Sequence, residues 1–420
     1  MAGSAWLRGL VAGAVVLGVV GCGKGDRAVT GAPGCPDDGG GRPRPVRTEG
    51  GAVWAYGPHF APPQGARQGE GAVPGWTDVV SVADSGHTTA AVRADGTVWA
   101  YGTNIKGSLG QGAFERVYEG TPRQVAGISD ARAVYTGGST FFVVREDGSV
   151  AAWGSENILV NAGKRESHKG VPRPRAVPGA DDVVSMGPGS LNAFALRSDG
   201  RVLGWGINLT DVLGDVDGTR LTTVDGVEGV VDVASAGGAV VAAKGDGRVC
   251  AWGSNAHGLL GVEPRGGQSG RPLLVPGLED IVQVAGGNDV AFALDGDGAV
   301  WAWGRGVGGV LGDGDASDHV SVKPVRVRGL PPIRRIASFE FTGLAVDTDG
   351  GLWGWGSALV LGGHGKGRSG AAPVRIPVPG PVLDVSGRHV IVEGGIEGGI
   401  ERDGGEGADE DAAGGWSGRG

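Results

Sequence analysis

A chain of 420 residues has room for one large domain or several ordinary ones, but glycine at 88 positions, about three times its usual share of ~7%, calls for its own explanation. The lack of a strict Gly-X-Y period excludes collagen, and 40% hydrophobic content with 12 tryptophans excludes a wholly disordered chain. The formal charge of −9 is concentrated in residues 393–420, which hold eight acids and two arginines, so the body is nearly neutral and carries no broad electrostatic footprint for DNA or RNA.

In chain order, residues 1–21 read as an address. Arg8 is the single early positive charge, and the apolar run over residues 10–20 is too short for a bilayer, which needs about 20 residues. Val19-Val20-Gly21-Cys22 resembles a bacterial lipobox, which makes Cys22 the expected lipidation site and the first residue of the mature protein. Its acyl chains would hold the protein on a membrane outside the cytoplasm. The alternative is an ordinary signal peptide with an incidental cysteine. Cys35 and Cys250 could pair in an oxidising compartment, but one falls in a linker and the other in a strand, so a bridge is not expected. Residues 22–50 are rich in glycine, proline and charge, and read as a flexible tether that lifts the domain off the surface.

From residue 51 one phrase recurs: GGAVWAYG, DGTVWAYG, DGSVAAWG, DGRVLGWG, DGRVCAWG, DGAVWAWG and DGGLWGWG. The closing glycines, Gly57, Gly102, Gly154, Gly206, Gly253, Gly304 and Gly356, are 45, 52, 52, 47, 51 and 52 residues apart. A period near 50 belongs to propeller blades or solenoid units. Each phrase after the first follows two short β-branched runs, such as Val79-Val80-Ser81-Val82-Ala83 and residues 88–93. Asp95-Gly96, Asp147-Gly148, Asp199-Gly200, Asp246-Gly247, Asp297-Gly298 and Asp349-Gly350 are therefore expected to turn the second strand of each unit into the third, as type I′ hairpins. The residue before each closing glycine is aromatic in all seven copies: Tyr56, Tyr101, Trp153, Trp205, Trp252, Trp303 and Trp355. With a strand period of two, Trp99, Trp301 and Trp353 share a face with their downstream aromatics, as layers packed between sheets require.

The phrase D-G-x-V-W-A-W-G followed by G-x-N-x-x-G-x-L-G resembles the repeat of the regulator of chromosome condensation family. The second half is complete in Gly102-Thr103-Asn104-Ile105-Lys106-Gly107-Ser108-Leu109-Gly110 and in Gly253-Ser254-Asn255-Ala256-His257-Gly258-Leu259-Leu260-Gly261. It is partial after Gly206 and Gly304 and eroded after Gly154 and Gly356. The resemblance covers residues 51–392 and implies an all-β, seven-bladed β-propeller.

The repeat count also predicts how the ring closes. Residues 382–386 and 389–392 supply two strands with no third phrase after them, while the phrase at residues 52–57 has no preceding strands. One blade is therefore expected to be shared between the N- and C-terminal segments, which removes exposed strand edges. Residues 393–420 read as an acidic, glycine-rich disordered tail.

Catalytic motifs are thin. At this glycine content a G-x-G-x-x-G pattern should arise by chance about four times, so residues 304–309 carry no dinucleotide signal. No P-loop or G-x-S-x-G occurs, no cofactor is implied, and the seven histidines are scattered out of register and expected at the surface. Asp313, Asp315 and Ser317 offer oxygens at alternating positions as in a calcium loop, but Asp318 and Pro324 stand where its sixth-position glycine and twelfth-position glutamate belong, so a solvated loop is the expectation. Lys164, Arg165, Lys169, Arg173 and Arg175 form a basic cluster in one long loop, expected to be solvated.

The expected function is that of a monomeric, non-catalytic scaffold that binds a protein or glycan through the longer connections near residues 103–124, 155–178, 207–229, 254–278, 305–332 and 357–381. The resemblance implies an alternative, guanine-nucleotide exchange on a small GTPase, and an extracellular lyase or hydrolase is a third class. None of the family's exchange residues is carried over onto these loops.

Overall fold

The computed structural model describes residues 29–394, apart from 30, 37–41, 44–47, 57–69, 115–116, 156–169, 215, 217–219, 264 and 358–369. The signal segment with Cys22, nearly all of the acidic tail, Gly57 and the basic residues Lys164, Arg165 and Lys169 lie outside the described residues.

Seven four-stranded antiparallel sheets form the blades of an all-β propeller. Blade 1 runs from the axis outward through Val79–Asp84, Thr88–Arg93, Val98–Thr103 and Tyr118–Gln124. Blades 2 to 6 repeat that order, with inner strands Ala131–Gly137, Val183–Met186, Val230–Ala236, Ile281–Gly286 and Ile333–Phe339. Blade 7 is shared as expected: Val382–Ser386 and His389–Val392 form its inner half, and Ala52–Ala55 and Gly71–Ala72 its outer half. Ala52 faces Val392, and Trp54 faces Val390, across the joint between the two ends of the chain.

The seven inner strands are tied to one another around the axis. Val134 N–H donates to Ser81 Oγ at 3.1 Å, Arg132 Nη2 donates to Val183 O at 2.8 Å, and Ser235 Oγ donates to Gly187 O at 2.6 Å. Val284 N–H donates to Asp232 Oδ2 at 3.0 Å, and Ile336 N–H donates to Gln283 Oε1 at 2.9 Å. Arg334 donates to Val382 O, and Asp84 N–H donates to Ser386 Oγ at 3.2 Å, which completes the circle. Every inner strand slips register between its first and third residues, for example between Val79 and Ser81 and between Val230 and Asp232. Such a bulge re-aims the side chain that follows it. It explains why Ser81, Asp232 and Gln283 reach the adjacent blade.

The Asp-Gly turns lie where expected but are not of type I′. Gly96 N–H donates to Arg93 O at 2.9 Å, and in this turn only Gly96 has positive φ, at 79°. This is a type I turn closed by a left-handed glycine, so only one residue needs the freedom of glycine. Asp95 instead caps the turn, accepting from Thr97 N–H at 2.9 Å, and Asp147, Asp199 and Asp246 do the same in blades 2 to 4. In blades 5 and 6 the capping carboxylates are Asp295 and Asp347 rather than Asp297 and Asp349. The closing glycines from Gly102 to Gly356 have φ between 100° and 113°, and a Cβ at Gly102 would strike His87 O. A side chain there would break the hairpin.

Two expectations are corrected by the strap that precedes blade 7. Cys35 and Cys250 are bonded, with Sγ–Sγ 2.05 Å across 215 residues of sequence. Residues 29 and 31–36 of the segment read as a free tether are docked around that bridge: Val29 N–H donates to Gln268 O, and Cys35 N–H donates to Pro272 O, on the outer strand Gln268–Leu274 of blade 4. The linker composition concealed this docking, because backbone pairing needs no particular side chains.

Candidate binding face and ring seam

Strand direction assigns the loops to faces. In blades 1 to 6 the third strand leaves an Asp-Gly turn and ends at its closing glycine, so those turns lie on one face. The long loops lie on the other, beside the short turns between inner and second strands.

The Gly-x-Asn half of the repeat builds these loops. Asn104 Oδ1 accepts from Leu109 N–H at 3.1 Å while its Nδ2 donates to Ala113 O at 3.1 Å. Asn208 bonds Leu213 N–H and Gly214 O, and Asn255 bonds Leu260 N–H and Val262 O, in the same way. Each loop then receives an indole from the next blade. Trp153 Nε1 donates to Ser108 O, Trp252 to Val212 O, Trp303 to Leu259 O and Trp355 to Val310 O, each at 2.8 Å. All four indoles are buried, as is Trp205, so at these four joints the aromatic position staples blade to blade. The loop tips carry exposed apolar side chains on the same face: Phe114, Val117 and Tyr118 in blade 1, and Leu209 and Val216 in blade 3.

Between blades 7 and 1 the staple is different. The aromatic residue is Tyr101, and its hydroxyl meets His389 Nε2 at 2.5 Å. His389 Nδ1 lies 3.2 Å from Asp84 Oδ2, and Arg388 N–H donates to the same oxygen at 2.9 Å. Gly86 N–H donates to Asp84 Oδ1 at 2.8 Å, and Arg388 Nη2 donates to Gly86 O at 3.0 Å. Tyr56 hydroxyl donates to Gly387 O at 2.6 Å beside them. Asp84, Arg388 and His389 are all buried. Burial pushes the Asp84 carboxyl up, but His389 and Arg388 outweigh it and hold the group well below the usual carboxylate range. Burial raises the Tyr101 and Tyr56 phenols, so both remain protonated.

His389 is expected at the surface from its sequence context; the structure buries it. The signal available in the sequence is the change from Trp to Tyr at positions 56 and 101, the two copies flanking the ring closure. Nothing in the spacing points to Asp84 or Arg388, which meet across 304 residues of sequence.

A second polar group lines the axis. Arg335 Nε lies 2.5 Å from Asp384 Oδ1, and the charges of Arg132, Arg335, Asp232 and Asp384 all act on Tyr135. Burial raises the Asp232 carboxyl to about 6, against the backbone N–H bonds from Val284 and Val233, and burial lifts the Tyr135 phenol to about 12.

The acidic loop does not converge into a metal centre. Asp313 caps Asp315 N–H and bonds His319 Nε2 at 3.0 Å, Asp315 caps Ser317 N–H at 2.8 Å, and Asp318 accepts from Gly308 N–H at 3.3 Å. Among the described residues no group of three His, Cys, Asp or Glu could hold a metal ion, and no helix is long and apolar enough to cross a membrane. Arg173 and Arg175 are exposed on the outer strand Val171–Ala176 of blade 2.

Comparison with known proteins agrees with this architecture. The model of the "Regulator of chromosome condensation (RCC1) repeat" matches residues 246–294 and 297–338. The chain is 29% identical over 302 residues to protein pim1 of Schizosaccharomyces pombe, covering 67% of this chain and 47% of that one. It is 27% identical over 313 residues to the regulator of chromosome condensation of Xenopus laevis, covering 68% and 73%. It is also 30% identical over 301 residues to the human E3 ubiquitin-protein ligase HERC2, of which it spans only 6%. Among solved structures, Prp20p of Saccharomyces cerevisiae superposes with TM-score 0.68 at 19% identity, over 83% of this chain and 92% of that chain. Human WBSCR16 does so with TM-score 0.68 at 23% identity, over 82% and 99%. At these identities the superpositions speak for the fold alone. With the repeat model, the relatives and the seven blades in agreement, the chain carries RCC1-type repeats and closes into a single propeller.

Proposed function

We propose that this protein is an extracytoplasmic lipoprotein, anchored through Cys22, whose propeller is a non-catalytic scaffold for a protein partner on the long-loop face. The observation that carries the reading is the Cys35–Cys250 disulfide. Such bonds persist in oxidising compartments, and with these two cysteines bonded Cys22 is the remaining one of three. The exposed Phe114, Val117, Leu209 and Val216 favour a protein over a glycan, because apolar and aromatic side chains form the centres of protein interfaces. Chemistry is disfavoured at the seam, where Asp84 and His389 are sealed from substrate.

A second reading, regulation of a small GTPase by nucleotide exchange, follows from the similar proteins: yeast Prp20p, which shares the fold, binds Gsp1p and histones. The disulfide and the acidic overall charge weigh against that setting.

The test is metabolic labelling with palmitate together with photocrosslinking. The reading expects label that vanishes in Cys22→Ala, and adducts from a photoreactive residue at Tyr118 but not at Asp95 on the opposite face. An unlabelled cytosolic chain would sink the lipoprotein reading and favour exchange. A crosslinked glycan in place of a polypeptide would replace the protein partner.

A further inference from the structure

We propose that the disulfide-locked strap of residues 29–36 decides how the ring stands on the membrane: the rim of blade 4 beside the bilayer, and the seam between blades 7 and 1 farthest away. The proposal rests on the acylation of Cys22 proposed above.

The strap is held by backbone hydrogen bonds along the outer strand of blade 4. Val29 N–H donates to Gln268 O at 3.0 Å, Leu274 N–H donates to Pro33 O at 3.1 Å, and Cys35 N–H donates to Pro272 O at 3.1 Å. Gly34 and Leu273 form an antiparallel bridge. Val29 and Ala32 pack on the core between blades 4 and 5, and the buried Lys244 ammonium donates to Pro36 O. The Cys35–Cys250 bond then makes the docking covalent.

This moves the attachment point of the anchor. Between Cys22 and Val29 there are seven peptide steps, which reach at most about 25 Å whatever their path. Farther along the chain, Thr48 Oγ1 donates to Val80 O at 2.8 Å, and Gly51 bridges to Val79. Both lie at the seam. The leash from Cys22 to Thr48 would extend to about 90 Å. In a ring of seven, the junction between blades 7 and 1 lies directly across from blade 4, so the disulfide selects one of two opposite rims.

The strap also has a direction. Val29 pairs with Gln268, at the end of the outer strand that follows the long loop, so the leash leaves on the loop-bearing side. That brings the proposed binding face towards the membrane surface. A partner seated in or on the same membrane fits this geometry. Lys24 and Arg27 fall within the leash and would add attraction to anionic headgroups.

The experiment uses the full acylated chain in phosphatidylethanolamine–phosphatidylglycerol vesicles that carry a headgroup energy acceptor. A fluorescent amino acid is placed at Glu263 in blade 4 or at Arg123 on the outer strand of blade 1. We expect several-fold stronger energy transfer from position 263 than from 123, and loss or reversal of that contrast in the double variant Cys35→Ser, Cys250→Ser. Acylated protein with equal transfer from both positions, or a contrast unchanged in the double variant, overturns the strap proposal and leaves the lipoprotein reading intact. Absence of acyl label on wild-type protein overturns both.

Discussion

Blades 4 and 5 are joined by an indole, and blades 7 and 1 by a network of ionisable groups. At the first joint Trp303 Nε1 donates to Leu259 O, a bond between neutral groups in a dry core. At the second, Tyr101, His389, Asp84 and Arg388 do the same work in the same layer. Both joints hold a long-loop face in place, but they respond differently to their surroundings. A neutral staple does not titrate. A buried carboxylate beside a guanidinium contributes only while it is charged, and losing one partner strands the others.

Removing residues 51–57 should have the largest effect, since it takes the third strand out of blade 7 and with it the buried Val53, Trp54, Ala55 and Tyr56. At about 1.5–3 kcal/mol for each large apolar side chain, the ring should lose its cooperative transition or melt far lower, by calorimetry. An unchanged Tm would disprove the shared blade. Asp84→Ala comes next, leaving Arg388 and His389 buried without their carboxylate, with an expected loss of about 3–5 kcal/mol in urea unfolding. If it costs no more than a surface substitution, the seam is not held by ions.

Trp303→Phe should cost less, about 1–3 kcal/mol, because it orphans Leu259 O while keeping most of the packing. A larger cost than that of Asp84→Ala would reverse the ranking of the two joints. The smallest effect contrasts Asp84 with Asp232 on the axis. The Asp84 carboxyl is depressed in the folded state, so its contribution is full above about pH 4 and is lost as the pH falls further. Asp232 has the opposite sign: raised to about 6, it contributes below about pH 4 and loses that contribution as the pH rises through 6. Between these values Tm should decline with pH in wild type and decline less in Asp232→Asn. Identical slopes would show that Asp232 does not titrate in this window.

Much of the ring is legible in the sequence, and what is not follows a pattern. The period near 50, the six Asp-Gly pairs and the aromatic before each closing glycine announce seven blades and the shared closure, because each is a local pattern repeated in step. The turn type is not legible, because Asp-Gly serves both a type I′ turn and a type I turn followed by a left-handed glycine, and the difference is one φ angle at Asp95. The Gly-x-Asn loops stand out as family pattern, but the use of each asparagine as an internal brace emerges only with Asn104, Asn208 and Asn255 in place.

The amino-acid sequence by itself determined the repeat, the blade count, the roles of the closing glycines and the vacancy that the N-terminal strand fills. Each of these is written in local stereochemistry, where a missing Cβ or an alternating apolar run acts on its neighbours. Only the tertiary structure decided that Cys35 reaches Cys250, that Val29 and residues 31–36 dock on blade 4, and that Asp84, Arg388 and His389 meet at the seam. Those pairings span at least 215 residues of chain and depend on ring closure, which brings together groups with no shared sequence signal.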